Sequence, residues 1–136
     1  INLMFERFSF APKQIERYYK SAQRDFNIAQ TSDIPEVAFK FSYDAILKLA
    51  IAVCAKNNSR VKSRQGHHTE LINKLSEILR NEDIRVIGQE MRAKRNWDLY
   101  GGGALISKKE ADEFLIWTKK IFKTADIYLY KKVKLI

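Results

Sequence analysis

The sequence predicts an all-α protein: an antiparallel, up-and-down bundle of four to five helices. Three observations carry that expectation. Apolar residues recur at spacings of three and four through most of the chain, and Ala, Leu, Lys, Glu and Gln are plentiful between them. Only two prolines and five glycines interrupt 136 residues, and three of the glycines are consecutive. Start and stop signals for helices fall between the periodic stretches. Sheet content is expected to be near nil, and the length fits one domain with a real core.

The opening ten residues, Ile1 to Phe10, are apolar but broken by charge, and residues 1–11 read as an arm packed on the domain or on a partner subunit. They lack a small-residue cleavage site, so a signal peptide is not expected. The bundle is placed at residues 12–126. Helix one is expected over Pro12 to Ala29, with Pro12 in the first turn and Ile15, Tyr18, Tyr19, Ala22, Phe26 and Ala29 on one face. After Gln30-Thr31-Ser32, Asp33 and Glu36 have capping-box spacing for helix two. That helix runs to about Lys56 and is apolar nearly all round its circumference, so it is expected at the centre of the domain.

Residues 57–66 read as the longest unstructured connection, and its Arg60, Lys62 and Arg64 are candidate phosphate contacts, with plain solvation of a loop as the alternative. Helix three starts near His67-His68. Adjacent histidines on a helix point in different directions, and no set of metal ligands completes them, so no metal site is expected; one histidine can serve as a cap or a proton carrier. Asn81 can cap helix four, Glu82 to Tyr100, and Ser107 to Glu110 is a capping box for helix five, which runs to Ala125 or beyond. Residues 127–136 alternate apolar with cationic side chains, and either extend that helix or pair as a strand with the N-terminal arm.

Composition narrows the function. With 46% hydrophobic and 30% charged residues the chain is globular rather than disordered. A formal charge of +9 favours polyanions, nucleic acid first among them. No apolar run approaches the roughly 20 residues a membrane span needs. The lone Cys54 excludes an intrachain disulfide and fits a reducing, cytoplasmic setting, where it serves as core filler.

The candidate site closes helix four. At about 100° per residue, Ile84, Ile87 and Met91 form an apolar stripe, and Arg95 falls near its centre, where another apolar residue would be expected. Arg92, Asn96 and Tyr100, each four residues from the next, form a second row beside it. A guanidinium placed there needs a partner, because burying a polar group unpaired costs roughly 1–3 kcal/mol and a charge more. A carboxylate, a phosphate or a facing chain is expected opposite it.

The order of features resembles the HEPN domain over about residues 12–126. The resemblance rests on Ala22, Asp25, Phe26 and Ala29 in the first helix, the buried alanine-rich second helix, Gly66-His67-His68 before Leu71, and the Arg95-Asn96 pair closing the fourth. It implies a helical bundle, commonly dimeric, of the kind found in toxin–antitoxin modules, defence systems and nucleotidyltransferase-linked proteins. Many such domains are metal-independent ribonucleases whose motif is Arg, a polar residue often Asn, and a following His. Arg95-Asn96 matches its beginning, but Tyr100 stands where the histidine is expected. A tyrosine titrating near 10 is a poor base at neutral pH, although its hydroxyl can still donate to a phosphate. The resemblance therefore implies a dimeric RNA- or nucleotide-binding module, with Arg92, Arg95, Asn96 and Tyr100 as its anion site and weak or absent nuclease activity. An active ribonuclease using Arg95, Asn96 and Tyr100, or a structural adaptor, is the alternative. No cofactor is implied, and the implied partners are RNA or a nucleotide, a second copy, and a nucleotidyltransferase or antitoxin.

Overall fold

The computed structural model describes residues 4–62, 66–100 and 106–130. Five helices dominate: α1 Pro12–Thr31, α2 Pro35–Lys56, α3 His67–Leu79, α4 Glu82–Tyr100 and α5 Lys108–Tyr130. The protein is all-α in class, as its periodicity requires.

Helix α2 is the centre. Thirteen of its residues are buried, on all sides, and the other four helices pack against it. Its own amphipathicity is low because every face meets a neighbour. Two apolar clusters result. The larger joins Phe26 and Tyr19 of α1, Ile46, Leu49 and Val53 of α2, Leu71 and Leu75 of α3, and Ile121 and Phe122 of α5. The smaller gathers Phe39, Tyr43 and Leu47 of α2 with Ile72, Met91, Ile106 and Phe114. Cys54 is enclosed in the larger one, and burial pushes its thiol up to about 12, which leaves it an inert core residue.

The helix ends follow their local chemistry, with one correction. The Asp83 backbone N–H donates to Asn81 Oδ1 at 3.1 Å, and Ser107 and Glu110 exchange side-chain and backbone bonds as a capping box. The capping box expected from Asp33 and Glu36 does not form. Ile34 is the N-cap, no side chain caps it, and Pro35 opens α2 in its place. Gly66 precedes α3 with φ +85°, a conformation that glycine reaches without a Cβ penalty.

A second correction concerns the sheet. Phe5–Arg7 (β1) and Ser59–Val61 (β2) pair antiparallel, with Phe5 opposite Val61 and Arg7 opposite Ser59. The arm thus packs on the connection between α2 and α3, which is partly a strand rather than an unstructured loop. The Lys62 N–H donates to the Met4 carbonyl at 2.7 Å and extends the ribbon. At the other end of the chain α5 continues through Asp126 to Tyr130, and Leu129 joins the core. Residues 131–136 lie outside the described residues.

Helices α3 and α4 pack closely at Gly88. A Cβ at that position would lie 2.6 Å from Cγ2 of Ile72, a fully buried, β-branched side chain with no room to yield. Gly88→Ala is therefore expected to lower stability by about 1–2 kcal/mol, because overpacking outweighs the helix-propensity gain of roughly 1 kcal/mol. A denaturant melt checks this, and a stabilised variant would contradict the packing.

Candidate phosphate-binding site

The stripe of α4 points where its spacing predicts. Ile84 and Met91 are fully buried, and Arg92 and Arg95 follow them half-buried. What these arginines meet comes from two other helices. Tyr43 and Asp44 of α2 lie within electrostatic range, Tyr43 of both arginines, and His68 in the first turn of α3 lies within range of Arg92.

Tyr43 is buried at 2% exposure, and its hydroxyl lies 3.4 Å from His68 Nδ1. Burial pushes the Tyr43 phenol up to about 12, while Arg92 pulls the other way, Asp44 pushes further up and Arg95 pulls down. Tyr43 is therefore a neutral hydroxyl at pH 7. For His68, burial lowers the imidazole pKa first and His67 lowers it further; Asp44 raises it, and Arg92 lowers it again. His67 and His68 rings meet edge to face at 4.4 Å. Asp44 is engaged by Lys40 of its own helix at 3.0 Å, so its charge is largely answered before the arginines are counted.

Arg92 is oriented by a short relay. Its Nε donates to Gln89 Oε1 at 2.9 Å, and Gln89 Nε2 donates to the Thr69 carbonyl at 3.1 Å and to Asn73 Oδ1 at 3.0 Å. Gln89 thus ties α4 to α3 and fixes the guanidinium stem, leaving its remaining donors for a further acceptor. Lys94, two residues on, is taken up by Glu110 of α5 at 3.0 Å.

The sequence-expected residues divide. Arg92 lies within electrostatic range of Tyr43 and His68, and Arg95 of Tyr43. Asn96 is exposed, as is Trp97. The Tyr100 side chain lies outside the described residues, as does Arg64. Arg60 has a structural occupation: it bonds Glu6 across the ribbon and stacks 4.1 Å from the centre of the Phe8 ring. Lys62 contributes its backbone to the same ribbon. Tyr43 was not legible as a site residue, although a lone phenol among the apolar residues of α2 is a signal that could have drawn attention. Among the described residues no cluster of His, Cys, Asp and Glu is arranged to hold a metal, and no helix is long and apolar enough to cross a membrane.

The chain matches no protein-family model, no curated protein and no solved structure.

Proposed function

We propose that this chain is an RNA- or nucleotide-binding module of HEPN type that works as a homodimer, beside a nucleotidyltransferase or antitoxin partner, and grips phosphate with Arg92 and Arg95. The observation that carries the reading is that Arg92 lies within electrostatic range of the neutral Tyr43 phenol and of His68, whose ordinary pKa is lowered, and Arg95 within range of Tyr43. Their positive charge lies near hydrogen-bonding groups that are uncharged at pH 7, and the nearby Asp44 is paired with Lys40. Guanidiniums in that setting favour the planar, bidentate acceptors of a phosphate, and a net charge of +9 steers a polyanion to them. Fluorescence polarisation with a short single-stranded RNA tests it. Two neutralised phosphates give a log–log salt slope of about −1.4. Absence of saturable binding to RNA and nucleotides at low salt would overturn the proposal.

A ribonuclease is the second reading, favoured by the contact between Tyr43 and His68. A neutral imidazole can take the proton of a ribose 2′-hydroxyl as the 2′-oxygen attacks phosphorus and the bond to the 5′-oxygen breaks; that proton then passes to the leaving oxygen. Arg92 and Arg95 would hold the charge that builds on the phosphoryl oxygens. His68 sits below its ordinary value of 6.5, so cleavage should rise from acid pH and level off before neutrality. His68→Ala should then cut the rate about 100-fold or more. Equal cleavage by both proteins would assign the activity to a contaminant.

A further inference from the structure

A second site lies between α1 and α5. Both helices lean on α2, but their backbones scarcely approach each other, and the gap is a cavity of about 410 Å3. They run antiparallel along it, since Tyr19 meets Asp126 and Tyr130 while Phe26 meets Phe122. The floor is apolar: the Phe26 and Phe122 rings are stacked at 5.1 Å and 21°. One wall carries Gln23, Asn27 and Gln30, at i, i+4 and i+7 of α1; the other carries Lys119 and Lys123, one turn apart on α5.

Other lysines of the helices show the pairing that these two lack. Lys20 with Glu16, Lys40 with Asp44 and Lys108 with Asp112 are all i,i+4 ion pairs. Asp126, three residues beyond Lys123, instead accepts the Tyr19 hydroxyl on its Oδ1 at 3.1 Å. Lys119 and Lys123 have no carboxylate partner, and the Asn27 and Gln30 amides no hydrogen-bond partner, among the described residues. Two cations and two amides with unspent donors and acceptors therefore line one gap.

We infer that the α1–α5 groove binds a nucleotide, with Lys119 and Lys123 on its phosphate, Asn27 and Gln30 on the polar edge of its base, and the ring over the Phe26–Phe122 floor. The volume lies within the range of small-ligand sites, roughly 300–1,000 Å3. A bare anion would engage the lysines and leave the amides idle, whereas an uncharged heterocycle would leave both ammonium groups unanswered. Charge-assisted bonds from two lysines supply affinity, and amides, each both donor and acceptor, supply selection. The groove shares no residue with the Arg92–Arg95 cluster, so the two readings stand or fall separately.

Isothermal titration with AMP, adenosine and inorganic phosphate tests the assignment. The titrations are made in the Arg92→Ala/Arg95→Ala background, which removes any AMP held by the arginine cluster, and AMP is expected still to bind there saturably. Lys119→Gln/Lys123→Gln should weaken AMP about tenfold or more, and Asn27→Ala/Gln30→Ala should narrow the preference for AMP over phosphate. All four side chains lie at the rim without partners, so circular dichroism should show both variants folded. No saturable AMP binding, unchanged affinity in the lysine variant, or phosphate binding as tightly as AMP would each overturn the inference.

Discussion

Alanine at both Arg92 and Arg95 is expected to weaken RNA binding about 100-fold at low salt. Each charge-assisted contact contributes about 1.5–3 kcal/mol, and the lower figure taken twice corresponds to that factor. The salt dependence should flatten with it, since the variant releases fewer counterions. Stability should move little. Arg92 makes one bond to Gln89, and Gln89 keeps its own anchors on Thr69 and Asn73 when the arginine is gone. Polarisation and a thermal melt on the same preparation separate the alternatives: unchanged affinity with a collapsed melting temperature would make the arginines purely structural.

The largest expected loss of stability follows from Lys48→Met. Asp25, only 4% exposed, projects from α1 toward α2, and Lys48 Nζ reaches its Oδ2 at 2.8 Å from a more open position. Taking the lysine away strands a carboxylate inside the α1–α2 interface, at a cost of about 3 kcal/mol. Changing the pair together, Asp25→Leu with Lys48→Met, should recover most of that loss, because an apolar pair of similar volume needs no solvation. Urea melts of the two single variants and the double variant give the coupling directly. Additive losses would show that the contact has no energetic weight.

How much of this was legible depends on the range of the contacts concerned. The burial of α2 was readable because an all-round apolar helix has only one place to go, and the starts of α4 and α5 because Asn81 and Ser107 act within three residues. The arginines of α4 were found since Arg95 interrupts its own stripe. Their surroundings were hidden: Tyr43 and His68 are 25 positions apart and meet only once α2 and α3 dock. Asp25 carried a local signal, an acid at a stripe position beside Ala22, Phe26 and Ala29, but its partner Lys48 belongs to another helix. The ribbon escaped for the same reason at smaller scale. Three-residue strands have too short a pattern to announce themselves, and the Glu6–Arg60 register is set by a partner 54 positions away.

That ribbon also acts as a belt buckle. Fastening β1 to β2 turns the α1–α2 hairpin into a closed ring of backbone, and the ring's clasp sits immediately upstream of the turn that launches His67 and His68. A clasp of so few pairs, bought at the entropy of a long loop, is the part of the molecule that unlatches first. Amide exchange at Lys62 should accordingly outpace that of mid-α2 by orders of magnitude. Each unlatching frees the root of α3, and with it the first turn that carries His67 and His68.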